Sequence, residues 1–283
     1  MAQVEYLALG NPTLDVQSDG GAVVGGSAVY AALQAARLGL RSAIIGRASW
    51  TRLKPYWQPY AQEVQLLLQS SNDVTEFRNV SAGRTREQWL INWAGEIQHA
   101  DRIQNSDILH LAPVARELRV ECLPSYSTSR LVCLTPQGLL REQSKPDGRI
   151  YLKSLQFSSR LSRLVDIVVV AEVEAPYTMP LLTAVARQGG ISVITKGHRG
   201  CELLTKRGSQ RFLAAPAKRL VDTTGAGDCF AATLSAAIFS GISTTCAVRL
   251  ALCAAAISVE GQGPESIGSH SQVLERAAKY VPW

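Results

Sequence analysis

The 283-residue sequence has few of the features that mark disordered, membrane-bound or disulfide-rich proteins. Only 18% of its residues are charged and 6% aromatic, against 46% hydrophobic, a composition that excludes a disordered chain and suits a large buried core. No apolar run reaches membrane-spanning length, and the first residues lack a basic segment followed by an apolar one. We therefore expect no membrane partner and a cytoplasmic location.

Cysteine and histidine are too few and too scattered for a disulfide framework or a metal centre. The six cysteines include no Cys-x-x-Cys pair, and the four histidines show no ligand spacing, so buried thiols in a reducing compartment are expected. The net charge of +6 suits a protein that handles phosphates. Because the densest basic patch, Lys206-Arg207 with Arg211, is small, no nucleic-acid partner is expected.

Two common nucleotide-binding patterns are also missing. The dipeptide Gly-Lys does not occur, which excludes a P-loop. Gly225-Ala226-Gly227 begins like a dinucleotide-binding Gly-x-Gly, but Phe230 stands at the third glycine position and no hydrophobic strand precedes it. That class of enzyme is therefore disfavoured.

The most informative stretch is the turn that ends at Asp228 and leads into the apolar segment 230–239. The backbone amides of Gly225, Ala226 and Gly227, with the positive end of the helix dipole, predict a site for a phosphate-sized anion. Asp228 then lies beside the anion. A structural alternative makes Asp228 a helix cap, whereas three residues of minimal bulk favour a general base that takes a proton from a substrate hydroxyl.

This stretch, Asp-Thr-Thr-Gly-Ala-Gly-Asp at 222–228, resembles the C-terminal signature of the ribokinase-like (PfkB) carbohydrate kinase family. The resemblance implies an ATP-dependent phosphotransferase with Asp228 as catalytic base and Gly225, Ala226 and Gly227 as the anion hole. It implies an α/β ribokinase-like fold, in which helices cover both faces of a mainly parallel sheet and a small, reduced β lid is present. We expect one kinase domain over 1–283, with lid segments near 11–24 and 74–96.

The N-terminal part carries two further points of resemblance. Asp15 follows the apolar strand predicted at Val4–Leu9 and matches a family aspartate that binds substrate hydroxyls, with a loop or cap residue as the structural alternative. Gly25 and Gly26 open a predicted helix and are similar to the family's Gly-Gly signature, which carries substrate contacts. Tyr30 stands where the family usually has asparagine, so the acceptor pocket is expected to differ from that of ribokinase.

The middle of the chain alternates apolar strands with helical segments. Continuous apolar runs predict a parallel sheet covered on both faces, with Asp15, His110, Gln137 and Arg141 at its ligand-binding edge. The predicted strands are 42–46, 107–113, 131–135, 167–170 and 191–195. Two antiparallel strands, Thr75–Asn79 and Glu87–Trp93, are predicted around Gly83-Arg84 as the main part of the lid.

Residues implied to contact the substrates follow these strands. The segment Gln137–Arg141 is similar to one in the inositol-kinase branch of the family, and Arg141 is either a substrate-binding cation or a surface side chain. Glu174 matches the acid of the family's Asn-x-x-Glu motif, which is linked to magnesium, although Ala171 replaces the asparagine. ATP contacts are implied at Lys196, Gly197, Gly200, Gly225, Gly227 and Gly261.

These patterns predict a kinase that transfers the γ-phosphate of ATP, with Mg²⁺, to a hydroxyl of a sugar or polyol such as inositol. A nucleoside acceptor is the main alternative, since an aromatic wall could stack on a base. A non-catalytic ligand-binding member of the family is the other. The last loop, 260–264, is implied to contact the nucleotide or a monovalent cation such as K⁺, and a homodimer is expected if a second subunit completes the lid.

Overall fold

The computed structural model of the protein describes residues 3–17, 20–82, 85–98, 106–119, 129–144 and 147–280. The predicted turn at Gly83-Arg84 lies outside these residues. The described chain forms a large sheet covered by helices and a smaller four-stranded sheet beside it.

The large sheet has nine strands in the order β15-β14-β13-β12-β9-β8-β1-β4-β5. Seven of these strands, from β5 to β13, run parallel, and β14 and β15 add an antiparallel hairpin at one edge. The strands are β1 (Tyr6–Leu9), β4 (Ser42–Ala48), β5 (Val64–Ser70), β8 (Ile108–Leu111), β9 (Leu131–Leu134), β12 (Ile167–Ala171), β13 (Ile191–Thr195), β14 (Cys201–Thr205) and β15 (Gly208–Phe212). The edge strand β5 was not predicted from the sequence.

The central strands are apolar throughout because both faces of the sheet are covered. In β1, Tyr6 and Ala8 belong to one hydrophobic cluster, and Leu7 and Leu9 to the cluster on the opposite face. Helices α1 (Ser27–Arg37), α6 (Ala226–Phe239), α7 (Thr244–Ser258) and α8 (His270–Tyr280) lie on the first face, and α4 (Ser159–Leu164) and α5 (Ala175–Arg187) on the second. The expected cover of helices on both faces is thus confirmed.

Helix α1 begins and ends at glycines, as the sequence predicts. Gly26 precedes it with a φ of 100°, and a Cβ there would lie 2.8 Å from the Asn11 carbonyl oxygen. A side chain at 26 would therefore collide with the backbone that leads from β1 into the second sheet. Helix α2 (Trp50–Trp57), between β4 and β5, was not predicted.

The smaller sheet has the order β3-β2-β6-β7. Its strands are β2 (Thr13–Val16), β3 (Ala22–Gly25), β6 (Thr75–Ala82) and β7 (Thr85–Asn92). The β6–β7 pair is antiparallel, as predicted, and β2 pairs in parallel with β6. Asp15 lies within β2 rather than in a turn, because only residues 10–12 separate β1 from the second sheet.

A short helix and hairpin join the two sheets. Helix α3 (Gln137–Leu140) follows β9 and leads into β10 (Arg141–Gln143), which pairs with β11 (Ile150–Leu152). A single bridge between Arg149 and Trp89 attaches this hairpin to β7. Arg141 is thereby placed between the large sheet and the small one. No helix within the described ranges is both long and apolar enough to cross a membrane.

Candidate functional site

A cavity of about 980 Å³ lies at the carboxyl edge of the large sheet, between it and the small sheet. Thr135, Ala171 and Thr195 line it at the ends of β9, β12 and β13, and the start of α6 forms its floor. Ligands of open α/β sheets bind at this edge. The volume is at the upper end of the usual range for small-molecule sites, large enough for two ligands in contact.

The turn before α6 is held in shape by its own side chains. The Asp222 carboxylate accepts a 2.9 Å hydrogen bond from the Thr224 amide. Gly225 is the N-cap residue in the left-handed conformation, with φ 77°, and a Cβ there would lie 2.1 Å from the ring of Tyr30. Gly225 is therefore required by the backbone and by close contact with Tyr30.

Gly227 differs from Gly225 in both respects. Its φ is not positive, and a Cβ at this position would meet no heavy atom within 4 Å. Gly227 therefore adopts no unusual backbone angle. Gly227 lines the cavity, so a Cβ here would meet open space, and packing within the protein does not require glycine at this position.

Asp228 is the buried acid of the site. It lies in the first turn of α6 and lines the cavity with only 7% of its surface exposed. Its pKa is raised to about 7 in total: burial is the largest cause and the nearby Glu174 carboxylate adds to it, while hydrogen bonds from Ser27 and Thr135 and the charge of Arg141 lower the pKa. A carboxyl group with a pKa near neutrality can both accept and release a proton at physiological pH.

A chain of hydrogen bonds connects Arg141 to Asp228. The Arg141 guanidinium donates to the Gln137 side-chain oxygen at 2.9 Å and to the Val114 carbonyl at 2.8 Å. The Gln137 amide nitrogen donates to the Ser27 hydroxyl, which in turn donates to Asp228. The guanidinium also lies over the ring of Phe77, 5.2 Å from its centroid. Arg141 is thus a fixed cation of the cavity wall and not a surface side chain.

Four predicted acceptor-binding residues lie together at the end of the cavity near the small sheet. Asp15, Gly26 and Tyr30 line it, and Gly25 lies directly behind, where a Cβ would come 3.0 Å from the Asp15 carboxylate. Tyr30 is 2% exposed and belongs to the core cluster while also lining the cavity. Burial, followed by the charges of Asp15 and Asp222, raises the pKa of Tyr30, so it stays a neutral hydroxyl.

Glu174 also lines the cavity and lies directly before α5. Its carboxylate accepts a 2.8 Å hydrogen bond from the Ala171 amide, so the backbone of residue 171 contacts the acid although the family's asparagine side chain is missing. Burial raises the pKa of Glu174, whereas the Ala171 amide and Arg141 act against this increase. Within the described ranges, no group of three or more His, Cys, Asp or Glu side chains is placed to hold a metal ion.

The predicted ATP-binding residues are only partly brought together. Lys196 and Gly197 line the cavity, and Lys196 forms a 2.5 Å ion pair with Glu202. Gly200 is not among the lining residues; its φ is 85°, and a Cβ would lie 1.9 Å from the Phe212 carbonyl oxygen, so it allows β14 and β15 to pack closely. Gly261 also lies outside the cavity lining, beside Ser266.

Several lining residues were not found by sequence reasoning. Ser27 and Thr135 were passed over, although both directly follow recognised features, the Gly-Gly pair and β9. A set of small and apolar side chains forms the wall beyond Glu174 and has no motif of its own. These residues are Ala214, Ala215, Pro216, Ala217, Leu220, Leu252, Ala255, Ala256 and Val259.

His110 does not emerge at the ligand-binding edge as predicted. It is the third residue of the four-residue strand β8, fully buried, and does not line the cavity. Its ring nitrogens contact Tyr6 and Thr135. The short strand keeps His110 inside the sheet, one residue before its end.

Comparison with known sequences gives the family. Residues 98–270 match the pfkB family of carbohydrate kinases. The chain is 32% identical to inositol 3-kinase from Oryza sativa subsp. japonica over 160 residues, 53% of this chain and 39% of the rice protein. It is 28% identical to the bifunctional protein HldE of Koribacter versatilis over 277 residues, 91% of this chain and 56% of that protein. The chain thus spans about half the length of these relatives or less.

Solved structures share the fold at low sequence identity. A pyrophosphate-dependent kinase of the ribokinase family, complexed with a pyrophosphate analogue and myo-inositol, superposes with a TM-score of 0.78 at 18% identity, covering 92% of this chain and 98% of that one. A nucleoside kinase from Methanocaldococcus jannaschii gives a TM-score of 0.75 at 17% identity, covering 99% and 100%. The fold expected from the sequence, with its mostly parallel sheet and covering helices, is confirmed.

Proposed function

The chain belongs to the pfkB family of carbohydrate kinases, and from that premise we propose that it transfers the γ-phosphate of ATP to a hydroxyl of a cyclic polyol or sugar, with myo-inositol as the leading acceptor. The observation that carries the proposal is the position of Asp228. Its buried carboxyl group, with a pKa raised to about 7, lines the cavity in the first turn of α6, beside the N-terminal end of that helix.

In this proposal, the acceptor binds at the end near the small sheet. Asp15 and Arg141 supply complementary polar groups for neighbouring hydroxyls, and Tyr30 and Phe77 supply flat walls. Arg141 is held by Gln137 and Val114 and so needs no rearrangement to bind. Similarity to the rice inositol 3-kinase favours a polyol. The four-stranded sheet then acts as the lid, and one domain over 1–283 remains our expectation.

The donor binds at the end near Glu174. The apolar wall from Ala214 to Val259 suits a nucleotide base, which favours ATP over pyrophosphate, a donor without any apolar part. Lys196 and Gly197 lie at the same end. Since neither Gly200 nor Gly261 lines the cavity, we propose that they shape the backbone around the ATP site and do not contact ATP.

The reaction follows from the charges and hydrogen bonds of the site. Asp228 accepts the proton of the acceptor hydroxyl as its oxygen forms a bond to the γ-phosphorus, and the bond from that phosphorus to the bridging oxygen breaks to release ADP. The amides of Ala226 and Gly227 and the dipole of α6 stabilise charge on the transferred group. Arg141, whose charge already lowers the pKa of Asp228 and Glu174, adds to this stabilisation.

The cavity would hold Mg²⁺ only together with the phosphate groups of bound ATP, which would supply further oxygen ligands. Glu174 lines the cavity and accepts a hydrogen bond from the Ala171 amide, while Glu172, which also lines the cavity, is paired with Arg199. Mg²⁺ commonly uses one or two carboxylates together with waters and substrate phosphates. Glu174 would hold the ion through such a water. When bound, Mg²⁺ would neutralise charge on the phosphates. A requirement for K⁺ and a homodimer stay predictions.

An assay with matched donors and acceptors tests the proposal. Phosphate transfer is measured by ³¹P NMR with ATP or pyrophosphate, Mg²⁺, and myo-inositol, ribose, fructose or adenosine. We expect a phosphorylated polyol or sugar with ATP, and none with Asp228→Asn. A product only from adenosine would support the nucleoside kinase suggested by the two aromatic walls. Tight binding without transfer to any acceptor would instead indicate a ligand-binding member of the family.

A further inference from the structure

A line of buried polar side chains crosses three strands of the large sheet and ends at Asp228. Tyr6 on β1 and His110 on β8 are fully buried, and Thr135, directly after β9, is 5% exposed. The Tyr6 hydroxyl oxygen lies 2.6 Å from His110 Nδ1, and His110 Nε2 lies 3.1 Å from Thr135 Oγ1. The Thr135 hydroxyl interacts with the Asp228 carboxylate as a hydrogen-bond donor.

The register of the parallel strands produces this line. Ala8 of β1 pairs with His110 of β8, and His110 pairs with Cys133 of β9. Tyr6 therefore lies two residues before Ala8, the partner of His110 on β1. Thr135 lies two residues after Cys133, the partner of His110 on β9. Diagonal neighbours of this kind share one face of a sheet and are within reach of long side chains. The line thus climbs toward the carboxyl edge, where Asp228 lies.

The hydrogen atoms of the line have one consistent arrangement. Burial lowers the pKa of His110 to about 3, so its ring is neutral and carries one N–H. If Thr135 donates its single hydrogen to ionised Asp228, its oxygen accepts from His110 Nε2–H. His110 Nδ1 is then the acceptor for the Tyr6 O–H. Three hydrogen bonds then point in the same direction, toward the carboxylate, and bonds aligned in this way strengthen one another.

We propose that Thr135, His110 and Tyr6 form a positioning chain that orients Asp228 and stabilises its ionised form for proton abstraction. The inference rests on the proposed function, in which Asp228 is the base. Tyr6 and His110 do not line the cavity and act through Thr135. Because Tyr6 is fully buried, the chain offers no exit to solvent, and the proton abstracted from the acceptor stays on Asp228 until the product leaves.

Other groups around Asp228 also affect its pKa. Glu174 raises the pKa of Asp228, whereas Ser27 and Arg141 lower it. Tyr6, Tyr30, Cys133 and Cys229 also face Asp228, and burial raises the pKa of each, so they remain protonated at neutral pH. Thr135 is therefore a neutral donor to the carboxylate whose effect on the pKa of Asp228 is smaller than that of Ser27 and has the same direction.

The test compares three threonine variants. Thr135→Val removes the donor and keeps the side-chain shape, and Thr135→Ser keeps the donor. Thr233→Val is the matched control: Thr233 is a buried threonine on the same helix as Asp228, and among the described residues its hydroxyl has no hydrogen-bond partner. The carboxyl pKa is followed by NMR titration of protein labelled with ¹³C-aspartate, with Asp228→Asn to assign the signal. Turnover is measured with ATP, Mg²⁺ and the best acceptor of the panel.

We expect Thr135→Val to raise the carboxyl pKa of Asp228 by about one pH unit and to lower kcat by about 10-fold, with KM little changed. Thr135→Ser should keep kcat within about twofold of the wild-type value and leave the pKa of Asp228 close to its wild-type value. Thr233→Val should change neither kcat nor this pKa. Tyr6→Phe should shift the pKa in the same direction by a smaller amount. Melting curves verify that each variant is folded.

An unchanged pKa and kcat in Thr135→Val would overturn the positioning chain. So would equal losses in Thr135→Val and Thr233→Val, which would reveal a packing effect. A failure of the proposed function gives a different result, because phosphate transfer by Asp228→Asn would then be as fast as that of the wild type. The NMR titration needs no acceptor, so it decides the inference even if every acceptor in the panel is rejected.

Discussion

At the scale of single residues, burial brings the pKa of one ordinary carboxylic acid close to neutral pH. Asp228 is placed among Ser27, Thr135 and Arg141, all of which favour its charged form, yet its burial outweighs them and raises its pKa to about 7. The sequence motif singled out this residue, and the structure places it in the cavity lining. It could not reveal the hydroxyls that face it, because Ser27 and Thr135 are distant from Asp228 in sequence and come together only through packing of α1, β9 and α6.

Asp228→Asn keeps the shape of the side chain and removes the base. Turnover should fall by on the order of 10²–10⁴, with ATP affinity little changed. Single-turnover kinetics and calorimetric titration with ATP and Mg²⁺ provide the two measurements. Near-normal turnover in a folded variant would exclude Asp228 as the base.

The same substitution should stabilise the protein at neutral and alkaline pH. The folded-state pKa of Asp228, about 7, exceeds the ordinary value of 3.8, so the folded protein holds this proton more tightly than the unfolded chain. Its contribution to stability is therefore fully present below pH 4 and is lost as the pH rises through 7. Asp228→Asn should be more stable than the wild type by about 2–4 kcal/mol at pH 8.

Denaturant unfolding of both proteins at pH 4 and pH 8 measures this difference. The free energies of unfolding of the two proteins should become similar at pH 4. If Asp228→Asn is instead less stable at pH 8, the carboxylate has a capping role that outweighs the cost of burying its charge.

Tyr30 decides the shape of the acceptor end. Its ring is packed against Gly225 and lines the cavity, so Tyr30→Asn should enlarge this end, change the order of preference among myo-inositol, ribose, fructose and adenosine, and cost about 2–4 kcal/mol of stability. Competition assays and denaturant unfolding measure the two effects. A preference for ribose that is the same in both proteins would show that Tyr30 serves only the core.

At the scale of secondary-structure elements, the two glycines at the start of α6 differ in backbone conformation and in the space around them. The sequence predicted the helix and the tight turn before it, because small residues followed by an apolar run have a local signal. It did not separate Gly225, whose φ of 77° and contact with Tyr30 are set by the fold, from Gly227, which faces open space. That distinction depends on α1, some 190 residues earlier in the chain.

Gly225→Ala and Gly227→Ala should therefore have opposite profiles. Gly225→Ala forces a Cβ into the Tyr30 ring and strains the backbone, and should lower the free energy of unfolding by about 2–4 kcal/mol. Gly227→Ala should leave stability within about 1 kcal/mol and weaken ATP binding by about 10-fold, because its Cβ enters the phosphate site. Melting curves and calorimetry give both values. ATP binding unchanged in Gly227→Ala would place the phosphates elsewhere.

At the scale of the whole molecule, the sequence predicted the covered sheet and part of the small sheet. Apolar runs such as 131–135 and 191–195 carry a strong signal, whereas β5, α2 and the β10–β11 hairpin have mixed polarity and were missed. The position of Arg141 depends on that hairpin, so its role could not be settled from sequence. The apolar wall formed by residues between Ala214 and Val259 is assembled from a loop and α7, which are separated in sequence.

Because the cavity lies between two sheets, ligands at both ends should hold the sheets together. Saturating ATP analogue and myo-inositol, each at about 100 times its dissociation constant, should together raise Tm by about 10 °C or more. Hydrogen exchange should slow in β2, β3, β6 and β7. If exchange slows only around α6 and α7, the small sheet does not serve as a lid.

The contact between Tyr30 and Gly225 also restricts the evolutionary paths open to this chain. With any residue other than glycine at 225, the tyrosine ring has no room in its present position, so a path on which the glycine comes before the tyrosine avoids a clash. The reverse order passes through an intermediate with a clash at the phosphate turn. The effect of a mutation at either position therefore depends on the residue at the other, a case of epistasis between two ends of the sequence. Libraries that vary acceptor preference should randomise both positions together.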